Sequence, residues 1–177
     1  MRIIETKAYK FNELSEEAKE KAIENHRESM YYWDISEWII DDCYLLNPKG
    51  INDLIIGNTR KIYYSLDRDR HIDISNGMEV KDDIAFLEWL KIPFDIHDKV
   101  YYTIGKDTIE FEENEDGYTF TDNELEILDN AKEIFEDHCG WILNCIESNI
   151  EYYFSDENII EDINCNEYEF TEEGNII

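Results

Sequence analysis

Residues 121–154 read TDNELEILDNAKEIFEDHCGWILNCIESNIEYYF, and this stretch decides the fold. Leu125, Leu128, Ala131, Phe135, His138, Ile142, Cys145 and Asn149 recur at intervals of three or four, the period of a helix that buries one face. Thr121 or Asp122 supplies the amino-terminal cap. The helix is predicted to run to about Phe154, roughly 30 residues or about 45 Å at 1.5 Å per residue.

The same helix carries a second pattern. Asp122, Glu126, Asp129, Glu133 and Asp137 follow one another at intervals of four, three, four and four, which lines five carboxylates opposite much of the apolar stripe. Successive acids stand about 5 Å apart along the axis, a scale comparable with the ~3.4 Å between phosphates of a nucleic-acid strand. Glu110, Glu112 and Glu113, on a predicted strand before the helix, could widen this line. So could Glu157, Glu161 and Asp162 on a predicted helix after it. An ordinary solvated face alternates signs and gains pairs four residues apart, whereas this one holds Lys132 alone. We therefore read these eleven acids as a partner-binding surface. Plain solubility and an acidic, cation-dependent site are the competing readings.

Working outward, the imbalance extends beyond the helix. Residues 107–177 hold 23 Asp and Glu against the single Lys132, a net of −22. Residues 1–106 hold 21 acids and 15 Lys or Arg, a net of −6. Self-repulsion on this scale opposes compaction. Disordered acidic tails lack aromatics and β-branched residues, but here Tyr, Phe, Trp and Ile run through the acidic half, so that half is expected to fold.

The remaining elements surround the helix. Residues 2–11 read as a strand, alternating at Ala8, Tyr9, Lys10 and Phe11. Ser15 caps a helix with Glu16 and Glu17 in its first turn and Leu14, Ala18, Ala22 and His26 at helical spacing. Trp33 to Leu46 continues the helical region as one helix or two. Arg60 to Leu66 alternates as a strand, His71 to Ile74 continues it or pairs with it, and Asn76-Gly77 marks a turn. Asp82 to Leu90 reads as a short helix stopped by Pro93. Val100–Ile104, Thr108–Phe111 and Tyr118–Phe120 read as a three-stranded meander, Ser155 caps a helix to Ile163, and Tyr168 and Phe170 form a closing strand. This predicts an α+β fold: a small antiparallel sheet, an N-terminal helical region and a long acidic helix in the C-terminal half. One domain over residues 1–177 is expected, with a possible subdomain step near residue 106.

Several chemistries find no support. Asp67, Asp69 and Asp73 lack the Gly and Glu of a calcium loop, for Ile72 and Met78 stand where those would fall. Glu79-Val80-Lys81 resembles part of a nuclease site, but the same spacing recurs at Glu5-Thr6-Lys7 and Glu17-Ala18-Lys19. A nuclease also needs an electropositive path for its substrate. Cys139 and Cys145, six apart on a helix, are misaligned for sharing a zinc ion with His138. No phosphate-binding loop, nucleophile elbow, zinc-protease or dinucleotide motif is present. We expect no catalytic residue, no metal, no cofactor and no enzymatic activity. Cys43, Cys139, Cys145 and Cys165 are read as free buried thiols. No secretory signal or run of about 18 apolar residues is present. Direct binding to nucleic acid or a membrane is not expected of so acidic a chain. The aromatics at Tyr31-Tyr32-Trp33, Trp38 and Tyr152-Tyr153-Phe154 are mostly core, with some available as interface anchors. The basic residues at Arg60, Lys61, Arg68 and Arg70 could pair with the acidic half in one chain or across a homodimer.

Three stretches carry a resemblance. YKFNELSEEAKEKAI (residues 9–23), KIYYSL (61–66) and YYFSDENII with NEYEFTEEG (152–160 and 166–174) resemble a family of small acidic proteins common in phages and prophages of low-GC Gram-positive bacteria. The family often continues the Tyr-Ser-Leu segment with a Gln-, Gly- and Asp-rich turn, where this chain has Asp67-Arg68-Asp69-Arg70-His71. The resemblance implies an accessory phage product in the cytoplasm of a bacterial host. Some similar proteins inhibit host defence, including anti-CRISPR proteins. With the acidic stripe, this leads to the expectation of an anti-defence inhibitor that mimics a polyanion. Its partner would be a host nucleic-acid-binding defence protein, a CRISPR effector before others. The alternative is an interaction module without mimicry, antitoxin-like or regulatory, held by an aromatic surface.

Overall fold

A computed structural model describes residues 7–30, 55–57, 63–66, 68, 70–73, 78–114 and 118–177. In chain order the helices are α1 (Glu16–Ser29), α2 (Asp83–Trp89), α3 (Phe94–His97), α4 (Asp122–Tyr153) and α5 (Asp156–Cys165). The strands are β1 (Ile55–Gly57), β2 (Tyr63–Ser65), β3 (His71–Asp73), β4 (Met78–Val80), β5 (Val100–Ile104) and β6 (Ile109–Glu113). Helices dominate and the strands pair only two by two, all antiparallel: β1 with β4, β2 with β3, β5 with β6. The fold is α+β with a long acidic helix, as the sequence predicts.

The chain forms two compact units. One joins its two ends, residues 1–35 and 148–177, and the other is residues 36–147. The charge step near residue 106 is no boundary between them, since Lys106 and Asp107 lie in the turn between β5 and β6.

In the terminal unit, Ser15 caps α1 by accepting from the Ala18 amide at 3.2 Å. Glu16 and Glu17 occupy the first turn and Arg27 the last, charges that the helix dipole favours at those ends. Small residues at Ala18 and Ala22 let neighbouring chain approach, and both are buried with Phe11, Leu14, Ile159, Ile163 and Phe170. The two ends of the chain exchange backbone hydrogen bonds: the Tyr9 amide donates to the Phe170 carbonyl at 2.9 Å and the Phe170 amide to the Tyr9 carbonyl at 3.0 Å. Gly174, at φ +82°, lies over α1 so closely that a β-carbon there would stand 2.2 Å from the Ala18 carbonyl oxygen. Arg27 donates from Nε to the Phe154 carbonyl at 3.2 Å and pairs with Glu24 and Asp156. The end of α4 is thereby tied to α1.

The other unit is built around Phe86 of α2, fully buried. Its ring meets Trp89 at 5.9 Å, Tyr102 of β5 at 5.3 Å and Phe135 of α4 edge-on at 6.4 Å. Ile72, Leu90, Ile109, Leu128, Ala131, Ile142 and Ile146 are also buried in this unit.

Two helix ends follow one plan. After α2 the Lys91 amide donates to Glu88 and the Ile92 amide to Leu87, both at 2.9 Å, with Lys91 at φ 62°. After α5 the Glu167 amide donates to Asn164 at 3.3 Å and the Tyr168 amide to Ile163 at 3.2 Å, with Glu167 at φ 53°. Each is a left-handed helix stop, a place that glycine usually fills. Lys91 therefore ends α2 two residues before Pro93, which instead caps α3.

Some expectations are revised. Of the strand predicted over residues 2–11, residues 7–11 are described; Tyr9 makes one isolated bridge, and Phe11–Glu13 turn as a 3₁₀ helix. The turn buries Phe11 and Leu14, three residues apart, which alternation would send to opposite faces. The predicted meander is a hairpin: β5 and β6 pair, but 118–120 forms no strand; Tyr118 is instead hydrogen-bonded to Glu124 in the first turn of α4. Phe170 makes isolated bridges to Tyr9 and Ile176 rather than a closing strand. Cys139 is buried and Cys145 half-buried, but Cys165 is exposed; all three are free. β1 and β4 are additions the sequence reading missed. The helical region at Trp33–Leu46, the Asn76-Gly77 turn, Cys43 and the cluster Tyr31, Tyr32, Trp33 and Trp38 lie outside the described residues.

Candidate functional site

The candidate site is the exposed face of α4, and its position is set at the helix start. Thr121 and Glu124 form a reciprocal cap: the Thr121 amide donates to Glu124 Oε2 at 2.9 Å, and the Glu124 amide to Thr121 Oγ1 at 3.4 Å. Glu124 also accepts from Tyr118 Oη at 2.6 Å and Lys99 Nζ at 3.2 Å. The Lys99 ammonium lies 5.2 Å from the Tyr118 ring centre. The hydrogen bond from Tyr118, followed by those from Thr121, pulls the Glu124 carboxyl down to about 2. This acid is a clamp between the base of the hairpin and α4.

Beyond the clamp, Asp122, Glu126, Asp129, Glu133 and Asp137 are all exposed. They span about 22 Å of the helix, and at 3.6 residues per turn their mean direction is roughly 155° from that of the helix's buried residues. Among the described residues Asp129 alone of the five has a basic partner, Lys132 at 3.2 Å. Two further cations pair with other acids of this helix: Lys99 with Glu124, and Arg70 with Glu147 at 2.8 Å. Arg70 thus pairs within the chain, as one of the sequence alternatives allowed.

The other six acids divide. On β6, Glu110 and Glu112 share a face, opposite Thr103 and the exposed Tyr101 of β5. Glu113 is exposed on the other face, since strand side chains alternate, so these three do not form one line. Glu157 and Glu161 are exposed on α5, in the terminal unit. Asp162 is only half-exposed and has a partner within the chain: its Oδ2 is 2.9 Å from Nε2 of the buried His26, whose ring lies 5.4 Å from Tyr168. Asp162 supports the terminal unit's own packing.

One feature of this face has no counterpart in the charge pattern. Leu90 and Lys91, at the end of α2, and Ile127, Asn130, Glu133, Ile134 and Asp137 of α4 line an open groove of about 360 Å³. Ile127 and Ile134 flank the acidic stripe and are only half-buried. Their spacing of seven was visible in the sequence, but the end of α2 that makes them a groove was not.

Among the described residues no three His, Cys, Asp or Glu are grouped so as to hold a metal ion. Desolvation, with the charges of Asp107 and Glu136 behind it, pushes the Cys139 thiol up to about 12. It stays protonated and is a poor nucleophile. No described helix is long and apolar enough to cross a membrane. No family model, curated protein or solved structure matches this chain. The arrangement can offer a rigid row of carboxylates to a basic partner.

Proposed function

We propose that this protein is an inhibitor that binds a basic, nucleic-acid-binding surface by presenting carboxylates where phosphates would lie. One observation carries the reading: five exposed acids in register on one helix, with a single basic partner among the described residues. A helix evolved only for solubility gains by interspersing Lys and Arg, and this one forgoes that gain. The resemblance to phage proteins suggests the partner's class, a host defence nuclease such as a CRISPR effector, within a bacterial cytoplasm. Carboxylates would displace phosphates from Lys and Arg, and binding would weaken steeply with salt.

The test is Asp129→Lys with Glu133→Lys. Pull-down of the tagged protein from a CRISPR-bearing Gram-positive lysate should recover a basic nuclease at low salt and release it at high salt. The double variant should recover none. Capture that survives both high salt and charge reversal would overturn the electrostatic reading. It would favour the alternative module, for which Tyr152 and Tyr101, both more than half exposed, offer aromatic anchors.

A further inference from the structure

The groove beside the acidic stripe calls for a partner with more than positive charge. Ile127 and Ile134 lie two helical turns apart, about 10 Å, and leave apolar surface open beside Leu90. Glu133 and Asp137 form one rim, and Glu126 and Asp129 continue the charge along the helix. A phosphate-binding surface made only of Lys and Arg would satisfy the acids and leave the isoleucines wet. At about 360 Å³ the groove has room for a dozen waters, which suits a few side chains better than a length of backbone. Anchors seven residues apart facing acidic neighbours are what an amphipathic helix with basic flanks fits.

We infer that this groove seats a basic amphipathic helical segment of the partner protein, with apolar side chains over Ile127 and Ile134 and Arg or Lys against Glu133 and Asp137. This rests on the reading of the α4 face as the partner surface and adds the partner's shape. Lys91 is the cation in the groove lining. It stands where the partner's own charge would come, so it weakens the complex. Asn130 is exposed on the lining, its amide donating to the Glu126 carbonyl at 2.8 Å, so a larger side chain there would fill the groove without entering the core.

The test uses two fluorescent peptides of equal charge on the full chain: an 18-residue helical peptide with Leu seven residues apart flanked by Arg, and an oligo-arginine. Anisotropy titration should show the amphipathic peptide binding at least about tenfold tighter, a difference of about 1.4 kcal/mol. Ile127→Ala with Ile134→Ala, and separately Asn130→Trp, should abolish that excess while oligo-arginine binding stays unchanged. Lys91→Gln should strengthen binding of both peptides. Equal affinity of the two peptides for the native protein would overturn the groove proposal and leave the polyanion reading standing. So would an excess that survives Asn130→Trp. Oligo-arginine that binds the Asp129→Lys, Glu133→Lys variant as well as the native chain would overturn the polyanion reading itself.

Discussion

Glu124 and Asp129 are both acids on α4, yet they do opposite work. Glu124 accepts from Tyr118, Thr121 and Lys99 and is consumed by the structure, whereas Asp129 is exposed beside one lysine. Because the Glu124 carboxyl is held near 2 when folded and lies near 4.5 otherwise, its contribution is fully present above pH 4.5. That contribution is lost as pH falls toward 2. Glu124→Gln should therefore lower the melting temperature at pH 7, and the gap from the native chain should close between pH 4.5 and 2 in a thermal-denaturation series. Lys91 and Glu167 show another local conflict, since a left-handed backbone costs a side-chain-bearing residue roughly 1–2 kcal/mol. Glycine pays back part of that through its freer unfolded chain, so Glu167→Gly should stabilise by up to about 1 kcal/mol in urea denaturation.

At the scale of elements, α1 and α4 treat the helix dipole differently. α1 begins with acids and ends with His26 and Arg27, while α4 has no basic residue in its last turn and carries the exposed Glu151 there. An acid at that end costs stability. Glu151→Lys should raise stability by about 0.3–1 kcal/mol at low ionic strength, with the gain shrinking in 1 M salt, as read by chemical denaturation. The elements also show where sequence patterns sufficed. The period of α4 was legible because Leu128, Ala131, Phe135 and Ile142 are buried on one face whatever packs there. The short strands were harder, since three residues of alternation carry little signal. Tyr118–Phe120 looked like a strand but is pinned by a side-chain contact to Glu124.

For the whole molecule, a formal charge of −28 on 177 residues sets a repulsive background against which both units fold. Screening should relieve it. Raising sodium chloride from about 10 to 150 mM shortens the Debye length from about 30 to 8 Å, and the melting temperature should rise over that range. A fall would mean that ion pairs such as Arg70–Glu147 outweigh the repulsion. The sequence by itself determined the long helix and its five-acid line, because periodicity depends on neighbours within a few residues, and it narrowed the cap to Thr121 or Asp122. Only the tertiary structure decided that residues 7–30 and 148–177 close into one unit, that Asp162 serves His26, and that the end of α2 makes a groove beside the acids. Those facts depend on contacts between residues far apart in the chain, where pairing follows shape and burial, which no local pattern records.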